Sequence, residues 1–529
     1  MNHSKAYGIF LLVTTALVFS LAIFHGLSVP QGINADALYP LTFVGDLARH
    51  EPILWSVPAA NFFFPDVFVA GIGYAAGLRG FDNIVLYYAT VCAAIFITGY
   101  AFLRSAGIGG LPSIVAALLA VSVVAFFDGS MTLLTHTFIV PAHHGGVVAL
   151  QLAAAALFVA YVSRPDTRIG IFFAIVVAVA VFSDRITTAQ FVIPAFVALA
   201  WLARSDRKVD VRALSLFLFA GTAVAWAAVG LLDHSPWIHH SDIIPLWDGG
   251  VLLLLHRVRI SLLQIPRITG VADAIVLGGS YVALVFLAIV AVRGKGGRFS
   301  LLVVLAALLS TASLLTPIVG GLWTDPVGIR YQLPFFVIPL LTVAGLLLDA
   351  FAPPRRVLWA ASAIVLLAAL TLAVSVPTMH GAKSADVNAF AEFTGLTARL
   401  AGATSPVFAQ YWLAKPLLYL SGDQLRVCGV TDKGQVDPFI GNLSWCIDAL
   451  RALSSPPQPF VAFIDYEGSF KQPDFQNELG PPAGADTVAG FRVTYYRSSV
   501  VREKMQVSLC GALRAFGRPD AMDECRHQD

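Results

Sequence analysis

About eleven apolar stretches, each long enough to cross the ~30 Å hydrocarbon core of a bilayer, occupy the first 378 residues of the chain. They fall near residues 7–28, 84–103, 112–128, 146–163, 169–183, 188–203, 213–232, 272–293, 299–317, 334–351 and 357–377. Such a chain must satisfy its backbone within the membrane, which admits helices here and excludes an ordinary soluble fold. Composition agrees: 57% of residues are apolar, 12% are charged and the mean hydropathy is +0.76, against about 25% charged in a soluble domain. The first stretch is too long for a secretory leader and reads as an uncleaved helix. The fifth and sixth are short, with SDRITTAQ between them, as helices bordering a cavity are.

Lys and Arg set the orientation. One set of short loops holds Arg104; Arg164 and Arg168; Arg204, Arg207, Lys208 and Arg212; Arg293, Lys295 and Arg298; Arg355 and Arg356. The alternate set is nearly free of positive charge, Arg185 excepted. The N-terminus is therefore expected in the cytoplasm and the C-terminal region outside, with long outer segments at 29–83, 129–145 and 233–271. Residues 379–529 read as a periplasmic soluble α/β domain, with strands at PVFAQYW, QLRVCGV, PFVAFID and GFRVTYYR and helices over 386–402 and 443–453. Cys92 lies in a span, whereas Cys428, Cys446, Cys510 and Cys525 lie in the tail, where an even number outside the cytoplasm points to two disulfides. Pairing by proximity, 428 with 446 and 510 with 525, is the simplest of three connectivities. Asn442-Leu-Ser is a glycosylation sequon by spelling only. No internal repeat is found, and the inner loops carry no nucleotide-binding glycine pattern.

Polar residues gather on the outer side, where they are the functional suspects. Asp36 stands just beyond the first span, before a segment whose Leu38, Leu41, Val44 and Leu47 keep the spacing of a helix lying on the membrane. Residues 61–78 are apolar but interrupted by Pro65 and Asp66, and fit a helix packed along the surface. His136, His143 and His144 sit at the mouth of the third and fourth spans, where imidazole could serve as metal ligand or base. Arg330, at the outer start of a late span, is out of place by the positive-inside rule and suits an anionic partner such as phosphate. Arg257, Arg259, Arg267 and Arg185 add positive charge to that face, and His239 and His240 are a weaker signal.

This ensemble resembles the GT-C superfamily of integral membrane glycosyltransferases, which includes protein O-mannosyltransferases, the oligosaccharyltransferase catalytic subunit and lipid A aminoarabinose transferases. The acidic residue after the first span is Asp36; FPDVFVAGIGYAAGLRGF at 64–81 has the rhythm of the family's surface helices; and Arg330, Tyr331 and Pro334 match its late Arg-Tyr and proline. Several relatives carry an acidic residue where this chain has His143 and His144. The resemblance implies a polytopic α-helical membrane protein, GT-C-like over residues 1–378, in a bacterial inner (plasma) membrane. It implies transfer of a sugar from a polyprenyl-phosphate donor to a glycan, lipid or protein acceptor, with membrane lipids but no nucleic acid as further partners. Asp36 would be the general base of a single displacement, and Arg330 with Tyr331 would hold the donor phosphate, Arg257 and Arg259 being second-rank candidates. His143, His144 and Asp36 could orient a divalent cation (Mg, Mn or Zn), and Asp66 and Asp128 are reserves for the acidic role. Outside the family, the alternatives are a transporter or flippase of lipid-linked sugars and a non-catalytic scaffold for envelope-glycan assembly.

Overall fold

The computed structural model of the chain describes residues 35–36, 38–79, 81–126, 142, 144–205, 210–240, 250–269, 271–295, 299–322, 330–351, 395–397, 400, 406–421, 425–431, 433–439, 441–453, 460–466, 479–488 and 491–525. Spans expected at 7–28 and 357–377, the 378/379 boundary, His136, His143 and Asp128 lie outside them.

Seven helices among the described residues are long and apolar enough to cross a membrane: Asp82–Ser105, Gly145–Ser163, Thr188–Ser205, Val211–Asp233, Ile275–Gly294, Ser300–Val319 and Arg330–Ala350. All seven coincide with expected spans. Two more expected spans form apolar helices of shorter length, Gly110–Phe126 and Thr167–Ser183.

In chain order the helical part comprises α1 (Tyr39–Ala48), β1 (Trp55–Val57), α2 (Phe68–Ala75), α3 (Phe81–Ser105), α4 (Gly110–Phe126), α5 (Gly145–Ser163), α6 (Thr167–Ser183), α7 (Ile193–Ser205) and α8 (Val211–Asp233). It continues with β2 (Ile238–His240), α9 (Val251–Thr269), α10 (Val271–Val290), α11 (Ser300–Val319) and α12 (Leu333–Phe351). A π-helical turn, Phe63–Val67, leads into α2, and another, Thr188–Val192, into α7. One apolar core runs through α3, α4, α5, α6, α7, α11 and α12. Helices α6 and α8 approach so closely that a Cβ on Gly221 would lie 2.4 Å from the Ala174 carbonyl oxygen, a crossing that only glycine permits. The surface segment is tied to α6: Asn61 Nδ2 donates to the Phe182 carbonyl and Phe62 N to that of Ser183, satisfying carbonyls left open at a helix end.

The C-terminal part holds β3 (Val407–Gln410), α13 (Tyr411–Leu420), β4 (Val427–Val430), β5 (Gly441–Asn442), α14 (Leu443–Ala452), β6 (Phe460–Tyr466), β7 (Gly484–Val488), β8 (Phe491–Arg497) and α15 (Ser498–Ala515). Five strands form a mixed sheet in the order β4-β3-β6-β8-β7, with β3 parallel to β4 and β6, and β8 antiparallel to β6 and β7. Strand side chains alternate faces. Phe408, Val461 and Phe463 pack with α14 and α15, while Val407, Ala409, Ala462 and Ile464 pack with α13. A sheet covered on both faces explains why β6 reads as a nearly continuous apolar run. Cys428 is bonded to Cys446, joining β4 to α14, and Cys510 to Cys525.

A second, three-stranded sheet, β2-β1-β5, fastens the two parts together, β1 pairing in parallel with β2 and antiparallel with β5. Beneath it lies Asp46, fully buried at the end of α1. Its carboxylate accepts from Arg49 Nη2 (2.7 Å), Trp55 Nε1 (3.0 Å), Asn442 Nδ2 (2.7 Å) and Trp445 Nε1 (3.1 Å). Burial pushes this carboxyl up from its ordinary range, while Asn442, Arg49 and the two indoles hold it down. Asn442 also donates to the Pro52 carbonyl and accepts from the amides of Leu54 and Ser444. With its side chain buried and so engaged, the sequon asparagine is a structural residue of the joint.

Candidate active site

Asp36 precedes α1 by a single turn, and the docked C-terminal part brings the start of α13 onto it. Tyr411 Oη donates to Asp36 Oδ1 at 2.5 Å, and Lys415 Nζ donates to Tyr411 Oη at 3.2 Å. On its other side Asp36 Oδ2 lies 3.7 Å from Arg330 Nη1. The arginine remains 23% exposed and the aspartate 16%, so this ion pair faces an accessible edge, with Tyr411 half-buried beside it and Lys415 buried behind.

Arg330 Nη2 donates to Tyr331 Oη at 3.2 Å. The backbone at Tyr331 is held by the π-helical turn before α7, whose Gln190 Nε2 donates to the Tyr331 carbonyl at 2.6 Å while its Oε1 accepts from Gln151 of α5. π turns within helices are frequent at functional sites, and this one turns a buried amide toward the late span. The Tyr331 ring rests on His144, ring centres 4.6 Å apart, and His144 Nδ1 lies 2.5 Å from Asp184 Oδ2. One polar chain thus runs from Asp184 through His144, Tyr331, Arg330, Asp36 and Tyr411 to Lys415.

Beside it, Asp66 is buried and receives Tyr87 Oη at 2.6 Å and the Ala142 amide at 2.7 Å, both on Oδ1. Burial raises its carboxyl to about 6, against the lowering effect of those hydrogen bonds and of His144. Phe62, Ala142 and His144 all have positive φ (51°, 58° and 70°), a conformation costing a non-glycine residue about 1–3 kcal/mol. Such strain collects at functional sites because surrounding structure enforces it, and here it surrounds Asp66 and His144.

The residues named from sequence divide clearly. Asp36, Arg330 and Tyr331 come together. His144 joins the same chain, but through Tyr331 and Asp184. Asp66 is a neighbouring buried acid. Arg257, on α9, lays its guanidinium 3.1 Å from where a Cβ on Gly321 (φ +70°) would stand, at the carbonyl end of α11, where the helix dipole favours a cation. Arg259, also on α9, is exposed. Arg185 pairs with Asp233 at 3.0 Å, and that carboxylate also meets His240, whose Nε2 contacts Asn61 Oδ1. Among the described residues no three His, Cys, Asp or Glu side chains converge as a cation site requires. Of the expected set of Asp36, His143 and His144, His144 faces Asp184 and Asp36 faces Tyr411 and Arg330, while His143 lies outside the described residues.

Tyr411 and Lys415 were not expected from sequence. Their signal is a lysine inside an otherwise apolar run, YWLAKPLLYL, four residues after a tyrosine and therefore on the same helix face.

No protein-family model matches the chain, and no curated protein matches its sequence. Among solved structures it is similar to the crystal structure of ArnT from Cupriavidus metallidurans bound to undecaprenyl phosphate. That likeness has a TM-score of 0.55 at 13% identity and covers 94% of this chain and 99% of that one. It also resembles the single-particle cryo-EM structure of the arabinofuranosyltransferase AftD from Mycobacteria, at TM-score 0.45 and 16% identity, over 91% of this chain and 39% of that one. The chain is a polytopic helical membrane protein. It shares the fold of the ArnT structure over almost the full length of both chains.

Proposed function

We propose that the protein is a GT-C glycosyltransferase that moves a sugar from a polyprenyl-phosphate donor to an acceptor hydroxyl on the periplasmic face of a bacterial inner membrane. The observation that carries this reading is the meeting of Asp36 and Arg330, a carboxylate and a guanidinium 3.7 Å apart at an accessible edge, within a GT-C fold. The undecaprenyl phosphate bound to the ArnT structure supports a polyprenyl-phosphate donor. The concentration of Lys and Arg in alternate short loops supports an N-terminus in the cytoplasm and residues 379–529 outside.

The chemistry requires little of the protein, because the donor already carries its leaving group. Asp36 accepts the proton of the acceptor hydroxyl as that oxygen attacks the anomeric carbon, and the bond from that carbon to the phosphate oxygen breaks. Arg330 binds the phosphate and stabilises the negative charge it gains as the sugar departs. Tyr331 and the Gln190 contact behind it hold that arginine's backbone in place. A single displacement of this kind inverts the anomeric centre.

The test is release of polyprenyl phosphate from a panel of labelled polyprenyl-phosphate sugars by the purified protein in detergent. Turnover that falls by ~100-fold or more in Asp36→Asn is expected for loss of a general base. Saturable donor binding without turnover on any donor and acceptor would instead favour transport or scaffolding.

A further inference from the structure

Lys415 is 1% exposed and lies inside the C-terminal part, one helical turn after Tyr411. Among the described residues Tyr411 Oη is its one hydrogen-bond partner, and the same ring lies 4.5 Å from Nζ. An ammonium has three protons to donate, and burying it with one acceptor is expensive. A neutral amine has instead a lone pair to offer, and the group in position to use it is the Tyr411 hydroxyl. That hydroxyl is itself 2.5 Å from Asp36 Oδ1. The ionisable groups facing this pair are Asp36 ahead of α1, Asp437 beyond β4, and Arg330 before α12. Burial brings Lys415 down to about 7, opposed by the attraction of Asp36 and Asp437. Burial and the negative charge of Asp36 both hold the Tyr411 phenol well above its usual value, so it passes a proton on without resting as phenolate.

We propose that Tyr411 and Lys415 form a proton relay that empties Asp36 during sugar transfer, making the C-terminal α/β part a working component of the membrane active site. The proposal rests on the transferase reading given above. Asp36 first takes the acceptor's proton. Protonation turns Asp36 into a donor and reverses both hydrogen bonds, so that its carboxylic acid gives that proton to Tyr411 Oη while the phenol proton of Tyr411 moves to the lone pair of Lys415 Nζ. Asp36 ends as carboxylate, Tyr411 as phenol and Lys415 as ammonium. The departing polyprenyl phosphate gains one negative charge in the same step that the site gains one buried cation. After the products leave, the proton returns along the same chain to water at the exposed edge of Asp36. Tyr411 and Lys415 are positioning groups that act through Asp36 and touch neither substrate.

The experiment is the pH dependence of kcat, between about pH 5.5 and 9, for the full-length wild type, Asp36→Asn, Lys415→Met and Tyr411→Phe in detergent. Lys415→Met keeps the volume and removes a costly buried amine, and Tyr411→Phe keeps the ring; thermal unfolding checks that both are folded. Wild-type kcat is expected to rise through about pH 7 as Lys415 loses its proton. Both relay variants should lose that rise and fall ~10- to 100-fold at pH 8, with donor KM changed less than threefold. A rise through pH 7 that survives in either folded variant overturns the relay while leaving the transferase reading intact. Absence of turnover by the wild type on every donor overturns the transferase reading and the relay with it. Should Lys415→Met fail to fold, Tyr411→Phe alone decides the matter.

Discussion

Replacing Asp46 by alanine should weaken the joint between the membrane part and the C-terminal part. The carboxylate accepts four hydrogen-bond donors, from Arg49, Trp55, Asn442 and Trp445, and no water-exposed surface is left on it. Removing it orphans the Trp55 indole N–H completely and the Trp445 indole in part, while Asn442 Nδ2 keeps the Pro52 carbonyl at 3.1 Å. Each buried donor left unmade costs about 1–3 kcal/mol, and relief of the carboxylate's own desolvation offsets part of the sum. The net cost is about 2–4 kcal/mol, a fall in thermal midpoint on the order of 10 °C for a unit of this size. The assay is thermal unfolding in detergent across a double-mutant cycle of Asp46→Ala and Asn442→Ala. A hydrogen bond to a charged partner predicts a coupling energy of ~1.5–3 kcal/mol. Additive single effects, or a midpoint for Asp46→Ala equal to that of the wild type, would refute the assignment of Asp46 as the pin of the joint.

Asp66 makes stability depend on pH. Its carboxyl is raised to about 6, so the folded state holds a proton that the unfolded chain has already lost. Its contribution is therefore fully present below the unfolded value near 4 and is lost as pH rises through about 6, a change of about 3 kcal/mol. Asp66→Asn, whose amide oxygen can accept from both Tyr87 and Ala142, should remove that dependence and raise the unfolding midpoint at pH 7.5. On α8, two glycines should respond with opposite signs. Gly221→Ala meets the Ala174 carbonyl and should cost about 1–3 kcal/mol, whereas Gly230→Ala meets nothing within 4 Å and should gain up to about 1 kcal/mol from helix propensity. Thermal unfolding of the two single variants checks both.

What sequence could reveal here follows from what each feature depends on. The spans were legible because crossing a bilayer demands a length of apolar chain that nothing else requires, so α3, α5 and α12 fall where the stretches predicted them. The strands β3, β6 and β8 were legible for a similar local reason: short β-branched and aromatic runs bounded by turns. By contrast β1, β2 and β5 are two or three residues each, too short for any periodicity, and they exist only because three distant segments meet. Asp36 and Arg330 could each be singled out by position relative to a span, but their pairing is a tertiary fact. Tyr411 falls at the end of the expected strand PVFAQYW, a run whose one polar amide is Gln410. The chain in fact turns into α13 at that residue, and it is this turn that puts the Tyr411 hydroxyl and the Lys415 amine on one helix face. His144 was read as a metal ligand or base from its chemistry alone. The structure gives it a carboxylate, Asp184, from the SDRITTAQ loop, whose sequence signals were the short spans on either side and Arg185.

The central claim is that Asp36 acts on the acceptor while Arg330 acts on the donor phosphate, and the two roles separate in one measurement. Single-turnover transfer rates and donor affinities should be determined together for the wild type, Asp36→Asn and Arg330→Ala with one productive polyprenyl-phosphate sugar. Asp36→Asn should bind the donor within about threefold of wild type yet transfer at least ~100-fold more slowly, and Arg330→Ala should lose both affinity and rate. An Asp36→Asn protein that transfers sugar at the wild-type rate would contradict the account at its base.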